Sequence, residues 1–126
     1  MNLRYVKEWK NKAEQDYQAI LILSRQRSKK LPDIICFHAH QCLEKYLKAL
    51  LAKHGQKISK THDLVFLAEA LKNVEPELEF IKDVLRDLNR YAVEFRYPGD
   101  SANVEESKMA VTQVKETRKF FLAKFD

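Results

Sequence analysis

The scarcity of turn residues constrains the fold of this chain more than any other feature of its sequence. Only two glycines and three prolines occur among 126 residues. A sheet-rich domain of this length needs many tight turns, and glycine and proline are the residues that usually form them. The composition therefore favours long helices with short connections. It also excludes a glycine-rich phosphate loop or dinucleotide-binding turn.

Apolar residues recur at steps of three and four along five segments, which is the pattern of one helix face. The predicted helices cover approximately residues 5–24, 32–54, 64–72, 76–95 and 104–124. Pro32 suits a first helical turn, Gly55 suits a C-terminal stop, and Asp63 suits an N-cap. The sequence thus predicts an all-α fold, an antiparallel up-and-down helical bundle of about five helices, forming a single domain over residues 1–126.

The cysteines and the hydropathy predict a cytoplasmic protein. No apolar run approaches the roughly 18 residues needed to cross a bilayer, and the N-terminus has no signal stretch. Cys36 and Cys42 are six residues apart on one predicted helix and cannot easily pair, so reduced, buried thiols are expected. The net charge of +5 is compatible with an anionic ligand such as a nucleotide or RNA.

The second predicted helix carries a polar stripe opposite its apolar face. His38, Gln41, Lys45 and Lys48 fall within roughly 80° of helix circumference. His38 is either an ordinary surface residue or a ligand-binding one. Asp16, on the first predicted helix, is expected either to form a structural ion pair or to orient a basic residue at a site. Its partner stays open among Lys45, Lys48 and Arg96.

The remaining histidines differ in their expected roles. His40 lies at the edge of the apolar face and is expected to be packed and hydrogen-bonded. His54 lies near a helix C-terminus and is interpreted as structural. His62 either helps to cap the third helix or faces a cleft. His38 and His40 point about 160° apart on a helix, so they cannot chelate one metal, and we expect no metal or other cofactor.

A second polar cluster is predicted near the end of the fourth helix. Asn89 lies at the edge of its inward face, and Arg96 and Tyr97 stand where Pro98 must end the helix. Arginine suits phosphate and tyrosine can stack on a base, although both could simply cover a helix terminus. The predicted ligand-binding residues are His38, Gln41, Lys45, Lys48, Asn89, Arg96 and Tyr97, with Asp16 and His62 in possible support.

Four segments, in this order, resemble the HEPN family. They are Trp9 with Ala13 and Asp16, then residues 36–50, residues 61–64 and residues 91–98. The resemblance implies a helical bundle that usually forms a homodimer and associates with a nucleotide or RNA. It also implies a partner, often a small nucleotidyltransferase in a toxin–antitoxin or defence pair.

One departure from the family pattern bears on catalysis. Nuclease-active HEPN proteins carry an arginine followed four to six residues later by a histidine. Here Arg90 is followed by Arg96, and no histidine follows His62. We therefore predict a binding module rather than an enzyme. The alternatives are a metal-independent ribonuclease that uses His38 or His62, and an interaction scaffold without a ligand.

The last helix is rich in phenylalanine. Phe120, Phe121 and Phe125 suit either a self-association face or ordinary core packing, and the pattern favours the core.

Overall fold

The computed structural model describes residues 2–26, 30–92 and 98–125. Within these ranges the chain is helical and contains no strand, which confirms the predicted all-α class. None of the described helices is long and apolar enough to span a membrane. The described residues form five α-helices, which are α1 (Leu3–Ser24), α2 (Pro32–Lys53), α3 (Leu64–Ala70), α4 (Lys82–Leu88) and α5 (Val104–Ala123).

Helix α2 is the centre of the fold. It packs against α1, α3, α4 and α5, so most of its side chains from Ile35 to Ala52 are buried. Tyr46 of α2 stacks on Phe121 of α5, with ring centroids 5.1 Å apart, and both rings are fully buried. This confirms core packing for Phe121.

The helix ends follow the predicted local signals. Pro32 is the first residue of α2, and Gly55, with φ of 65°, follows its C-terminus. Asp63 accepts hydrogen bonds from the backbone N–H groups of Val65 and Phe66 and so caps α3.

The prediction of one continuous helix over residues 76–95 is wrong in the part that the structure describes. A 3₁₀ helix, Pro76–Ile81, precedes α4. Leu78 and Ile81 are both buried, and residues three apart eclipse each other in a 3₁₀ helix. Ile81, with φ of −110° and ψ of 13°, interrupts the helical backbone before α4 begins.

Tertiary hydrogen bonds affect the other end of the same segment. After α4 the chain tightens into a second 3₁₀ turn, Asn89–Tyr91. The Asn89 side-chain oxygen accepts from the Leu64 N–H at 2.8 Å, and its amide donates to Asp63 at 3.0 Å. Asn89 therefore joins this turn to the start of α3. Residues 93–95 lie outside the described residues.

Both cysteines are free and fully buried in α2, as predicted. Burial is the main cause that raises the pKa of Cys36 to about 11 and raises that of Cys42 further. Neither thiol is therefore suited to act as a nucleophile near neutral pH.

Candidate functional site

Asp16 of α1 joins two residues of the predicted polar stripe. Its side chain is 9% exposed, and its two oxygens have different partners. Oδ1 lies 2.8 Å from His38 Nδ1, and Oδ2 accepts from Lys45 Nζ at 2.5 Å. The helix spacing explains this pairing, because His38 and Lys45 lie two turns apart on one face of α2.

Glu44 forms a second cluster of the same kind. This carboxylate, 5% exposed, lies 2.8 Å from His62 Nδ1 through Oε1 and accepts from Lys48 Nζ at 3.0 Å through Oε2. The ammonium of Lys48 is itself buried and lies 5.6 Å from the centroid of the Trp9 ring. Two carboxylates thus each join one histidine to one lysine.

A buried histidine fixes the backbone that carries His62. His40 Nε2 lies 2.7 Å from the His62 carbonyl oxygen, which can only accept, so Nε2 carries the hydrogen. Burial, the largest effect, lowers the pKa of His40 and favours its neutral form. Its Nδ1 is then free to accept from the Gln41 amide at 3.3 Å. His40 is packed and hydrogen-bonded, as the sequence predicts.

These side chains lie together along α2, and we call them the polar band. The polar band consists of Asp16, His38, Gln41, Glu44, Lys45, Lys48 and His62. Its side chains differ in accessibility. His62 is 63% exposed, whereas His38 and Lys45 are 27% and 23% exposed, and both carboxylates are nearly buried. The band therefore presents imidazole and ammonium groups to solvent, and the nearly buried carboxylates fix their positions.

The arrangement suits two kinds of chemistry. His38 and His62 each use Nδ1 to contact a carboxylate, so the Nε2 of each remains for a ligand. When protonated, that Nε2 and the remaining N–H groups of Lys45 are charge-assisted hydrogen-bond donors for an anion. A histidine held in this way can also accept or donate a proton.

A family model for the HEPN domain matches residues 6–124. The chain belongs to the HEPN family. Proteins of this family are often related to nucleotides or RNA. No significant match was found among curated protein sequences.

The fold is similar to that of a solved protein described as TT1696 from Thermus thermophilus. The two chains are 22% identical and superpose with a TM-score of 0.77, over 98% of this chain and 99% of that chain. This likeness supports the HEPN bundle as a fold and carries no information on a ligand.

The structure brings together most of the predicted ligand-binding residues of this HEPN domain. Gln41 lies on the same stripe as His38 and the two lysines, and Asp16 pairs with Lys45 rather than Lys48. Asn89 contacts Asp63 and the backbone of α3 instead of the polar band. Arg96 and Tyr97 lie outside the described residues, so their convergence with the band stays a prediction.

Glu44 is the functional candidate that sequence reasoning missed. Glu44 and Lys48 are four residues apart, which is the usual spacing of a solvent-exposed pair on a helix. Only the contact of α1 and the His62 segment with α2 makes the pair buried. The available signal was its position beside Gln41 and Lys45, where a carboxylate interrupts an otherwise cationic stripe.

Two half-open cavities of the described residues lie away from the polar band. One cavity of about 240 Å³ lies between α1, α2 and α5, and one of about 360 Å³ lies beside α5 and the Asn89–Tyr91 turn. Neither cavity is lined by a residue of the polar band. The polar band therefore lies outside both of these cavities.

His54 belongs to a different cluster at the end of α2. Its Nε2 lies 2.7 Å from Glu75, a buried carboxylate that also lies 3.4 Å from Lys124 of the C-terminal segment. Glu75 thus joins the C-terminal end of α2 to that of α5, which supports the structural role predicted for His54.

Proposed function

We propose that this HEPN domain binds a phosphate-bearing ligand, a nucleotide or RNA, at the polar band. The observation that carries the proposal is the pair of carboxylate-anchored clusters, Asp16 with His38 and Lys45, and Glu44 with His62 and Lys48. Because the carboxylates fix these side chains before a ligand arrives, little side-chain entropy is lost on binding.

The charges around the band also favour an anion. Lys45 and Lys48 are balanced by the two carboxylates, but Lys12, Lys57 and Lys60 are exposed and form no ion pair within the described ranges. Lys12 lies on α1 one turn before Asp16, and Lys60 lies two residues before His62. Unpaired cations on both sides of the band attract phosphate from solution.

Calorimetry with ATP, GTP and a short RNA tests this proposal. Lys45→Ala removes the most exposed lysine of the band and is expected to raise Kd about tenfold, the effect of one lost charge-assisted hydrogen bond. Lys115→Ala is the matched control, because Lys115 is exposed on α5 and unpaired within the described ranges. The proposal is wrong if the wild type binds none of the three ligands, or if both variants lose the same affinity.

The predicted contribution of Arg96 and Tyr97 needs separate variants. Arginine binds phosphate through paired hydrogen bonds, so Arg96→Ala is expected to weaken binding as much as Lys45→Ala. Unchanged affinity in Arg96→Ala would remove this residue from the site without affecting the role of the polar band.

The geometry also favours a second candidate function, a metal-independent ribonuclease. Both histidines of the polar band, His38 and His62, contact a carboxylate through Nδ1, the arrangement that stabilises an imidazolium during proton transfer. In such a reaction the RNA 2′-oxygen attacks phosphorus while one histidine takes its proton. The bond to the 5′-oxygen breaks, and a second proton donor protonates that oxygen.

Incubation of the pure protein with total RNA in excess EDTA tests the ribonuclease proposal. We expect cleavage to end in 2′,3′-cyclic phosphate and to be lost in both His38→Ala and His62→Ala. His54→Gln is the matched control, since His54 lies in the Glu75 cluster. Intact RNA at high protein concentration would leave binding as the function.

The partner and the oligomeric state are further parts of the proposal. Family membership supports a homodimer that acts in the cytoplasm with a small nucleotidyltransferase in a toxin–antitoxin or defence pair. Co-expression with a nucleotidyltransferase encoded by a neighbouring reading frame tests the pair, and light scattering tests the dimer. If the protein binds a partner but no nucleotide or RNA, an interaction scaffold is the better description.

A further inference from the structure

The N-terminal half of α1 carries an aromatic and basic stripe next to the polar band. Tyr5, Trp9, Lys12 and Asp16 follow one another at steps of four, three and four residues, so they lie on one side of the helix. Two members fix the position of this stripe. Asp16 belongs to the polar band, and Trp9 packs on the ammonium of Lys48. The stripe therefore continues the band toward the start of α1.

The core does not account for the aromatic members of this stripe. Tyr5 is 53% exposed, and its hydroxyl has no hydrogen bond within the described parts of the chain. Trp9 is only partly buried. An exposed tyrosine one turn from a partly buried tryptophan gives this surface, unlike the isolated exposed Phe80, two neighbouring aromatic rings beside the cations of the polar band.

We infer that Tyr5 and Trp9 form a base-stacking platform, and that the ligand of the polar band is a single strand of nucleic acid with unpaired bases. This inference rests on the proposed function. Proteins that bind single strands combine aromatic side chains, on which bases stack, with cations that follow the backbone. Here Tyr5 and Trp9 supply the rings, and Lys12 with the band supplies the cations.

The dimensions favour a strand over a single nucleotide. Tyr5 and Trp9 are separated by about 6 Å along the helix axis, and Tyr5 and Lys12 by about 10 Å. The polar band adds further length from Asp16 to His62. Sites for small ligands are usually enclosed clefts, whereas neither of the larger described cavities is lined by the band or the platform. A base-paired duplex is also a poor match, because its base faces are covered by their neighbours.

The single tryptophan of the chain makes the platform measurable. The probe is an oligoadenylate of about twelve nucleotides, within the range of single-strand sites. Its comparators are inorganic polyphosphate of similar charge, which has no bases, and the same strand paired with oligouridylate. We expect only the single strand to quench Trp9 fluorescence, and to bind about tenfold more tightly than polyphosphate.

Variants at Tyr5 separate stacking from charge. Tyr5→Ala is expected to weaken oligoadenylate binding about tenfold, the typical loss of one stacked base, and to leave polyphosphate binding unchanged. Tyr5→Phe keeps the ring and is expected to keep the affinity. Phe80→Ala is the matched control, since Phe80 is 84% exposed in the 3₁₀ helix before α4 and lies outside the stripe.

The outcomes distinguish this inference from the proposed function. Equal binding of oligoadenylate and polyphosphate without quenching refutes the platform but leaves a phosphate site. Equal binding of duplex and single strand also refutes it, as does a loss in Tyr5→Phe equal to that in Tyr5→Ala. If neither oligoadenylate nor polyphosphate binds, both proposals are wrong.

Discussion

Glu14 and Asp16 are two carboxylates of α1 that lie only two residues apart. They differ in how many hydrogen-bonding groups their partners keep available for a ligand. Glu14 and Asp16 point about 160° away from each other, since each helical residue rotates by about 100°. Glu14 faces α5, where Arg118 binds it, and Asp16 faces the polar band of α2. The same short segment thus holds the bundle together on one side and presents a candidate site on the other.

The partners of Glu14 leave little hydrogen-bonding capacity unused. Arg118 donates to both carboxylate oxygens, at 3.1 and 2.7 Å, and Tyr46 donates its hydroxyl to one of them. The guanidinium of Arg118 also stacks 4.3 Å from the centroid of the Tyr17 ring. Burial raises the pKa of Glu14, but hydrogen bonds from Arg118 and Tyr46 outweigh it and hold the pKa below its usual range.

The partners of Asp16 retain hydrogen-bonding groups that no contact with Asp16 uses. Lys45 donates one of its three N–H groups to Asp16, and His38 uses one of its two ring nitrogens. Both side chains are about one quarter exposed, so the unused groups can reach a ligand. This difference supports a structural role for Glu14 and, under the proposed function, a positioning role for Asp16.

The largest expected effect on stability comes from breaking the ion pair between Glu14 and Arg118. Arg118→Ala leaves a partly buried carboxylate without its cation and removes the stacking on Tyr17. We expect the free energy of unfolding to fall by about 2 kcal/mol, below the full cost of a broken buried pair because both side chains are partly exposed. Urea denaturation measures the loss. Ligand affinity of the folded variant should stay within about twofold, and a larger change would mean that the two sides are coupled.

Glu14 also predicts a pH dependence. Its pKa is lower in the folded chain than the ordinary value of 4.5, so its stabilising effect is complete above that value and is lost as pH falls through the native pKa. Glu14→Gln is expected to cost about 1 kcal/mol at pH 7, where the charged hydrogen bonds are intact. The difference in unfolding free energy from wild type should shrink between about pH 5 and pH 3, and a constant difference would contradict this assignment.

Asp16→Asn is expected to have a smaller effect on stability. Asparagine retains an oxygen for one partner and costs less to bury than a carboxylate, and Lys45 can turn to solvent, so we expect a loss of about 0.5 kcal/mol. In the same urea titration, we expect Asp16→Asn to lower the free energy of unfolding by less than Glu14→Gln does. A larger loss would make Asp16 chiefly a structural residue.

The sequence predicted single helices better than contacts between them. Pro32, Gly55 and Asp63 mark helix ends through local backbone chemistry, which a sequence shows directly. The prediction of a continuous fourth helix failed at two places: Ile81 interrupts the helical backbone before α4, and Asn89 after α4 bonds to the start of α3, a tertiary contact. Local pattern also could not show that Lys48 is buried, because its cover comes from Trp9 on another helix.

In the candidate site, too, the sequence indicated single residues but not the contacts between helices. Asp16 was predicted as an ion-pair partner because a carboxylate near an apolar stripe needs a cation. The choice of Lys45 over Lys48 depends on how far α1 is shifted along α2, which no periodicity reveals. Glu44 was missed because a Glu–Lys pair four residues apart indicates an exposed surface unless another segment covers it.

The last test uses Cys42, a fully buried thiol of α2 whose pKa is raised mainly by burial and also by the charges of Asp16 and Glu14. A thiol reagent reaches it only when the bundle opens locally, so its labelling rate reports the opening equilibrium. We expect Arg118→Ala to accelerate labelling by about tenfold or more, and Asp16→Asn by about twofold, since each 1.4 kcal/mol corresponds to a factor of ten. Mass spectrometry of the labelled peptide separates Cys42 from Cys36. Equal acceleration in the two variants would show that both carboxylates hold the same packing, and the contrast between a structural side and a binding side of α1 would then be lost.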